Sequence, residues 1–261
     1  MKLANVTIGY PGRRVLTVPE LDFGPGEVTF LLGRNGSGKS TLLKSMAGIL
    51  PYGGSIRLTE ISTDGGSKAS EVRDLPHRER ARIVGYLPQM LAAPDMDVET
   101  LVLHGRFARL SFLGTPSAED RRAAEQAFDI TGTADLRNRS VKSLSGGERQ
   151  LSYLTMIIAQ DPQVFLLDEP MSSMDIAHQI RIVEILRKLK DRGKTLVVTS
   201  HDLPQSFALA DRIALLSGEK LCRVDTPAAL CGQEDLVRQC MGAAVRYEAD
   251  PGLLYPYVLV K

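Results

Sequence analysis

The chain has 261 residues, enough to bury a substantial core, and suits one domain with an inserted subdomain better than two equal domains. Its 32 basic and 31 acidic side chains leave a formal net charge of +1, so the composition gives no support to nucleic-acid binding. No apolar run approaches the length of a membrane span, and the first residues lack the hydrophobic region of a secretory signal. We therefore expect a soluble, cytosolic protein.

Short strand patterns dominate the first third of the chain. Residues 3–8 and 15–18 are typical of strands and are separated by the turn-like Tyr10-Pro11-Gly12, which predicts an antiparallel edge subdomain. The apolar runs 28–32 and 83–87 predict buried strands, and the polar residues 63–68 predict a surface loop.

Helical patterns take over between residues 97 and 143. In the predicted helix 118–130, charged residues occupy one face and Ala123, Ala127 and Ile130 another. An apolar strand at 164–167, an amphipathic helix at 176–189 and a strand at 195–199 follow. Strands alternating with helices build a parallel sheet covered on both faces, so we predict an α/β fold with a helical subdomain inserted at about 90–160.

The last part of the chain, about 233–261, is predicted to be a short extension with one helix and an apolar edge strand at 255–260. Three cysteines lie nearby, at Cys222, Cys231 and Cys240. Their odd number argues against a complete disulfide framework, and their spacing lacks the C-x-x-C pairing of a zinc site. We expect reduced structural thiols and assign them no role.

A glycine-rich segment at 33–41 fits the phosphate-binding pattern G-x-x-x-x-G-K-[ST], between a predicted strand and residues with helical spacing. Glycines let successive N–H groups face phosphate oxygens, and the following helix adds its positive end. Lys39 is expected to reach the β- and γ-phosphates, and the Ser40 hydroxyl to bind Mg²⁺. A simple turn would explain the glycines but not Lys39 and Ser40. The predicted nucleotide-binding residues here are Gly33, Asn35, Gly36, Ser37, Gly38, Lys39, Ser40 and Thr41.

Two adjacent carboxylates, Asp168 and Glu169, end the apolar strand at 164–167. The carboxyl edge of a parallel sheet is where ligands bind in such folds. We expect Asp168 to hold the Mg²⁺ shell and Glu169 to accept a hydrogen bond from an attacking water. The alternative is that one of them caps a helix that begins near Pro170.

A third motif, at 144–150, opens another predicted helix. Ser145 can cap this helix and leave the N–H groups of Gly146 and Gly147 at its positive end, a second anion site far from the first in sequence. Taken alone, this is an ordinary capping motif.

Together, these motifs resemble those of the ATP-binding-cassette (ABC) ATPases, whose signature sequence is matched residue for residue at 144–148. The resemblance covers nearly the whole chain. It implies a single ABC ATPase domain over 1–261, with a P-loop NTPase core, a mixed sheet, an antiparallel edge subdomain and an inserted helical subdomain that carries the signature. It also implies ATP and Mg²⁺ as ligands, with Ser145, Gly146, Gly147 and Glu148 binding ATP.

The resemblance gives roles to further residues. Gln89 would meet Mg²⁺ and act in catalysis, His201 would contact the γ-phosphate, and Tyr10 would stack on adenine. Residues 172–175 resemble the D-loop at the dimer contact, although the family more often has Ser-Ala-Leu-Asp there. The structural alternatives are a loop amide for Gln89, a neutral helix cap for His201 and edge-strand packing for Tyr10.

Three local segments, at 75–89, 102–106 and 175–179, resemble the ATPase subunits of bacterial importers for ferric siderophores, haem and cobalamin. This implies a head-to-tail dimer of two copies at the cytoplasmic face of the inner membrane. Separate transmembrane permease subunits and, indirectly, a substrate-binding protein would be its partners. The cargo itself is not defined by the ATPase.

Two alternatives belong to other classes. An ABC ATPase of nucleic-acid repair or translation would resemble tandem or coiled-coil-bearing chains, and this sequence has one cassette, no heptads and no basic tract. A non-catalytic nucleotide-binding regulator would be expected to lack Glu169 or His201.

Overall fold

The computed structural model describes residues 1–10, 12–59, 69–110, 114–172 and 174–242, together with the backbone of 60, 61, 67, 68, 245–248 and 257–260. Its strands are β1 (Lys2–Tyr10), β2 (Arg13–Asp22), β3 (Val28–Leu32), β4 (Tyr52–Ile61), β5 (Ser67–Glu71), β6 (Val84–Leu87), β7 (Val164–Asp168), β8 (Thr195–Thr199), β9 (Arg212–Ser217), β10 (Lys220–Asp225), β11 (Val245–Glu248) and β12 (Tyr257–Val260). Its helices are α1 (Lys39–Met46), α2 (His77–Ile83), α3 (Val98–His104), α4 (Ala118–Thr131), α5 (Gly146–Gln160), α6 (Ile176–Asp191), α7 (Leu203–Leu209), α8 (Pro227–Cys231) and α9 (Glu234–Met241). Within these ranges, no helix has both the length and the apolar character needed to cross a bilayer.

One large mixed sheet organises the molecule, with the strand order β5-β4-β1-β2-β10-β9-β3-β8-β7-β6. β9, β3, β8, β7 and β6 are parallel, whereas β5, β4, β1 and β2 pair antiparallel. Every residue of β3, β7 and β8 is buried, as expected for parallel strands covered on both faces. The predicted α/β fold class, with its antiparallel edge, is confirmed.

The antiparallel edge joins the parallel part through a narrow seam between β2 and β10. One parallel residue pair, Thr17 with Lys220, connects the two strands. The Thr17 N–H donates to the Glu219 carbonyl at 2.8 Å. By contrast, β1 and β2 pair along nearly their whole lengths.

Two hydrophobic cores cover the two faces of the sheet. Because side chains alternate along a strand, Val28, Phe30 and Leu32 of β3 pack into one core while Leu31 packs into the other. Helices α3, α4 and α5, which follow β6 in the chain and precede β7, contribute to the first core. The second core contains α1 and the inward face of the antiparallel strands.

The structure differs from the sequence predictions at three places. The strand predicted at 83–87 begins one residue later, because Ile83 ends α2. Of the loop predicted at 63–68, residues 63–66 lie outside the described ranges, and Ser67 and Lys68 begin β5, a mostly polar strand that lacks apolar alternation. The predicted C-terminal edge strand pairs with β11 in a separate two-stranded sheet, and residues 255 and 256 lie outside the described ranges.

A buried ion pair ties α4 to the end of α5. The Arg106 guanidinium donates to Asp120 at 2.8 Å and to the Ala159 carbonyl at 2.9 Å, and both charged side chains are buried. Burial alone would raise the pKa of Asp120, but hydrogen bonds from Ser117 and Arg106 outweigh it and hold that pKa below its ordinary value. Asp120 also closes the capping box at the start of α4.

We predict that Asp120→Ala lowers the free energy of unfolding by about 3 kcal/mol, because it leaves the Arg106 charge buried without its partner. Asp129→Ala, on the exposed side of the same helix, should change it by less than about 0.5 kcal/mol. Urea denaturation measures both values. Because folding lowers the pKa of Asp120, Asp120→Ala should show its full loss of unfolding free energy at pH values above 3.8, the ordinary pKa of the group. This loss should shrink as the pH falls below that value. Equal effects of the two substitutions would contradict the prediction.

Candidate active site

The loop between β3 and α1 bends at two glycines with positive φ. Gly36 has a φ of 81° and Gly38 a φ of 93°, which residues with side chains rarely adopt. A Cβ on Gly38 would lie 3.0 Å from Cγ1 of Val15, so the loop also approaches β2 closely. Helix α1 begins directly after this loop and directs its first N–H groups back toward it. Loop and helix together form a backbone suited to an anion.

The Lys39 side chain is buried and folds back toward the beginning of this loop. Its ammonium donates to the Gly33 carbonyl at 2.7 Å and to the Arg34 carbonyl at 3.4 Å. Burial lowers the pKa of Lys39, and the negative charges of Glu169 and Asp168 oppose that shift. Lys39 therefore places its donor among the loop's backbone groups, where phosphate oxygens would also find it.

The Asp168 carboxylate is 2% exposed at the end of β7. Its Oδ1 accepts hydrogen bonds from the hydroxyls of Ser40, at 2.9 Å, and Thr199, at 2.7 Å. Its Oδ2 accepts a longer one from Tyr86, at 3.4 Å. Burial, followed by the charge of Asp168, raises the pKa of Tyr86, so this phenol stays a donor.

The residues present fit a phosphate and a magnesium ion. The Ser37 hydroxyl is buried in the loop with no hydrogen-bond partner in the described part of the chain, which suits contact with a ligand oxygen. Ser40 and Asp168 already bring two oxygen donors together. The described residues contain no cluster of three or more His, Cys, Asp or Glu residues able to hold a metal. Mg²⁺ is usually held by one or two carboxylates together with substrate phosphates and water, so the pair of Ser40 and Asp168 suits it.

Glu169 adopts an unusual backbone conformation for a residue with a side chain, with a φ of 50°. Its N–H donates to the Thr199 hydroxyl at 2.9 Å, and its carbonyl accepts from the Ser172 N–H and hydroxyl at 3.2 and 3.1 Å. The Glu169 carboxylate accepts a hydrogen bond from the Gln89 amide at 2.8 Å and lies 3.3 Å from Nδ1 of His201. The two adjacent carboxylates therefore have separate sets of partners, whereas the Thr199 hydroxyl contacts both residues.

These residues border one open cleft of about 580 Å³. Tyr10 lies at one end of β1 with its side chain 54% exposed, so it offers an accessible aromatic face. The cleft is lined by Tyr10, Arg13, Val15, Asn35, Gly36, Ser37, Gly38, Lys39, Ser40, Thr41, Gln89, Glu169 and His201. Gly33 and Asp168 lie just behind this lining, bonded to Lys39 and Ser40 respectively.

The signature residues lie elsewhere on the chain. Ser145 caps α5, accepting from the Glu148 N–H at 3.2 Å, while the Glu148 carboxylate accepts from the Ser145 N–H at 2.8 Å. Hydrogen bonds from Ser145 and Arg139 hold the pKa of Glu148 below its ordinary value. Ser145 and Gly146 are exposed, and neither they nor Gly147 or Glu148 line the cleft. One chain therefore does not bring the signature and the phosphate loop together.

The predicted D-loop follows Glu169, with Ser173 outside the described residues. Asp175 caps α6 by accepting from the His178 N–H at 2.9 Å, and it also contacts Nδ1 of that ring at 2.8 Å. A Cβ added to Gly147 would lie 3.0 Å from the His178 ring. His178, in the first turn of α6, thus contacts Asp175 of the predicted D-loop and packs against Gly147 of the signature helix in the same chain.

Two residues that contact the acids were not predicted from the sequence as functional, and neither were Arg13 and Val15 of the cleft lining. Thr199 contacts both acids, and Tyr86 contacts Asp168. The sequence signal for Thr199 is its place at the end of a predicted strand, two residues before His201. Its importance emerges only when Thr199 is paired with Asp168 in the register of β7 and β8.

Known proteins are similar to this chain in sequence and in fold. Residues 16–172 match the ABC transporter family. The achromobactin transport ATP-binding protein CbrD of Dickeya dadantii is 35% identical over 250 residues, covering 95% of this chain and 89% of that protein. The chain belongs to the ABC transporter family. The hemin import ATP-binding protein HmuV of Gloeobacter violaceus is 37% identical over 235 residues, covering 87% of this chain and 82% of that protein.

A solved structure agrees with this assignment at the level of the fold. It is described as an inward-facing conformation of a metal-chelate type ABC transporter, with a TM-score of 0.80 and 24% identity, covering 100% of this chain and 96% of that chain. The predicted family resemblance is confirmed. As an ABC ATPase, the chain binds and hydrolyses ATP.

We predict that Thr199→Val reduces kcat about tenfold or more, because the variant neither donates to Asp168 nor accepts from the Glu169 N–H, and small displacements of reacting groups slow turnover strongly. The affinity for ATP should stay within about threefold, since Lys39 and its loop are unchanged. Steady-state kinetics and nucleotide titration measure the two effects.

Two further variants serve as controls. Thr199→Ser keeps the hydroxyl and should restore most of the rate. Thr195→Val removes a buried hydroxyl at the other end of β8, where it donates to the Gly24 carbonyl at 2.9 Å. A loss of rate in Thr195→Val equal to that in Thr199→Val would show a general packing effect instead.

Proposed function

We propose that two copies of this chain bind ATP head to tail and that their hydrolysis of ATP drives import through a separate permease. The observation that carries the proposal is the carboxylate of Glu169, held by Gln89 and close to His201 in the same cleft as the phosphate loop. This arrangement gives the cleft a base beside its phosphate-binding groups. The single domain, 1–261, would comprise the core and a helical subdomain at about 90–160.

The proposed binding roles follow the cleft from one end to the other. Tyr10 stacks on the adenine ring, and the loop N–H groups and Lys39 hold the phosphates. Ser40 and Asp168 hold Mg²⁺, with Gln89 as a further oxygen ligand. Bound there, the ion neutralises phosphate charge and orients the phosphate groups. The loop residues Gly33, Asn35, Gly36, Ser37, Gly38 and Thr41 contribute backbone and hydroxyl contacts.

Glu169 is the proposed base. The Gln89 amide engages its Oε2 and so fixes the orientation of the carboxylate. In the described chain, Oε1 accepts no hydrogen bond and is available to take the proton from an attacking water. His201, whose side chain is 61% exposed, is free to turn toward the γ-phosphate. The positive φ of Glu169 separates its direction from that of Asp168 and so separates the two roles.

The second half of the site is proposed to come from the partner copy. Ser145, Gly146, Gly147 and Glu148 expose the N-terminus of the 15-residue helix α5, a favourable place for an anion, but do not reach the cleft of their own chain. In a head-to-tail dimer, they would face the γ-phosphate held by Lys39 of the other chain. ATP binding would then close the dimer, and hydrolysis would remove the bridging charge.

The transport role rests on the relatives, whose names describe ATP-binding subunits for achromobactin transport and hemin import. Such a subunit works with transmembrane permease subunits, and indirectly with a substrate-binding protein, at the cytoplasmic face of the membrane. The cargo would be a metal chelate such as a ferric siderophore, haem or cobalamin. The permease would dock beside Gln89, where the neighbouring Met90 is 89% exposed.

Glu169→Gln should lower the rate of phosphate release by about 100-fold or more, because an amide cannot take the proton. ATP binding should persist, since Lys39, Ser40 and Asp168 remain. ATP-bound dimers should therefore accumulate, which size-exclusion chromatography with bound-nucleotide analysis detects. Glu184→Gln, an exposed position on α6, is the matched control and should hydrolyse ATP normally. Turnover near the normal rate in Glu169→Gln would remove Glu169 from the role of base.

Mixed dimers test the composite site through Lys39→Ala and Ser145→Arg. With both changes on one chain and a normal partner, the head-to-tail arrangement damages both sites by different routes. With the changes on separate chains, they fall in one site and leave the other whole. We expect one bound ATP per dimer in the second arrangement and none in the first. An intact site in the same-chain arrangement would refute the head-to-tail dimer.

A further inference from the structure

His178 lies in the first turn of α6, where its imidazole contacts the last residue of the predicted D-loop. The His178 N–H donates to the Asp175 carboxylate at 2.9 Å, and the ring Nδ1 lies 2.8 Å from both oxygens of that carboxylate. Hydrogen bonds from the backbone and the side chain of His178 hold the pKa of Asp175 below its ordinary value. An ionised carboxylate only accepts, so Nδ1 carries the proton and the orientation of the ring is fixed.

The same imidazole lies against Gly147, in the first turn of the signature helix α5. A Cβ placed on Gly147 would be 3.0 Å from Cγ and Cδ2 of the ring and 3.2 Å from Nδ1, closer than ordinary contact between carbon atoms. The absence of a side chain at Gly147 therefore allows this close approach. The His178 side chain is 27% exposed, so most of its surface is covered by the protein.

The predicted D-loop is attached to α6 at more than its last residue. The Gln179 amide donates to the carbonyls of Met171 and Met174, at 3.4 and 3.2 Å. Asp175 caps the same helix. A movement of this loop therefore moves the start of α6, and His178 with it.

Helix α6 also contacts the end of α4, in the helical segment between β6 and β7. Arg181 donates through Nε to the Thr131 carbonyl at 2.7 Å, and Lys188 donates to the Ile130 carbonyl at 3.3 Å. The last carbonyls of a helix have no partner within it, and cations are favourable there. These two contacts fix α4 against α6, and His178 adds a contact with the start of α5.

We propose that His178 is a positioning residue that holds Gly147 of the signature helix at a fixed place relative to Asp175 of the predicted D-loop. We call this set of contacts the His178 bridge. The inference rests on the proposed head-to-tail dimer, in which both segments of one chain face the other chain. His178 does not line the nucleotide cleft of its own chain, so its effect would reach the ATP held by the partner.

The bridge has a specific energetic consequence for the dimer. The first N–H groups of α5 are proposed to receive the γ-phosphate held by the partner, and a group that is already in place loses less freedom when the dimer closes. Without the bridge, the start of α5 would have to be ordered at that step. Loss of His178 should therefore weaken the ATP-bound dimer and leave the affinity of a single chain for ATP unchanged.

The first test uses the full chain with Glu169→Gln, the change expected to let ATP-bound dimers accumulate. His178→Ala should raise the dissociation constant of this dimer about tenfold or more, as measured by analytical ultracentrifugation in saturating ATP. The affinity of the dilute single chain for labelled ATP should stay within about twofold, because Lys39 and its loop are unchanged.

Three further variants separate the bridge from simple packing. His178→Asn places an amide nitrogen near the position of Nδ1 and an oxygen near that of Cδ2, so it keeps both contacts and should restore the dimer to within about threefold. His178→Phe keeps a flat ring beside Gly147 but has no donor for Asp175, and it should behave as His178→Ala does. His77→Ala is the matched control, because it removes another imidazole with a hydrogen-bond partner, Arg80, and should have no effect.

The second test needs no dimer. In the full chain labelled with ¹⁵N-glycine, without nucleotide, the amide resonance of Gly147 reports the position of the signature helix. Asp175→Ser keeps a helix cap but removes the partner of the imidazole, so it should shift this resonance. The same change made in His178→Ala should leave the resonance where His178→Ala alone places it, because the bridge is already broken.

Several results would overturn the proposal. Restoration of the dimer by His178→Phe as full as that by His178→Asn would make the ring a spacer only. His77→Ala could weaken the dimer as much as His178→Ala does, or the Gly147 resonance could ignore Asp175→Ser. Absence of any ATP-bound dimer in Glu169→Gln, together with the expected resonance shifts, would refute the proposed dimer and still support the bridge.

Discussion

The edge of the sheet that carries the candidate active site depends on the hydrogen bonds that one buried carboxylate accepts. Asp168 is almost wholly removed from water, so its charge requires hydrogen-bond donors from the protein. Those donors are hydroxyls on three different elements: Ser40 on α1, Tyr86 on β6 and Thr199 at the end of β8. Satisfying this one group fixes the phosphate-binding helix against the strands on either side of β7.

Thr199 extends that constraint to the neighbouring acid. The same hydroxyl that donates to Asp168 accepts the N–H of Glu169, whose backbone is left-handed. A conformation of this kind costs of order 1 kcal/mol and persists where surrounding contacts determine it. Here, the contacts to Thr199 and Ser172 hold it. The position of the proposed base is therefore set by backbone contacts as well as by the contacts of its own side chain.

The parts of the site that the sequence predicts are those whose chemistry is local. The phosphate loop and the capping box at Ser145 each lie within a few consecutive residues, so spacing alone identifies them. Thr199 and Tyr86 join the candidate site only through the register of parallel strands, which a pattern along one strand does not contain.

The fold was predictable where burial imposes a regular pattern of apolar residues on the sequence, and less so where it does not. The buried strands β3, β7 and β8 appear as apolar runs of the correct length. Strand β5 is polar except for Ala69 and pairs on one side only, at the edge of the sheet, so its first residues resemble a loop in the sequence. The partner of β12 is another short C-terminal strand, and strand propensity does not specify a partner.

The narrow seam between β2 and β10 divides the large sheet into two parts that are joined through the backbone by one residue pair. The nucleotide cleft straddles this seam, because Tyr10 belongs to β1 on one side and the phosphate loop follows β3 on the other. Any ligand that fills the cleft is therefore a cross-link between the two parts, additional to the single residue pair that the backbone supplies. The antiparallel edge becomes a region whose resistance to local opening, and hence to amide hydrogen exchange, depends on ligand concentration as well as on its own hydrogen bonds.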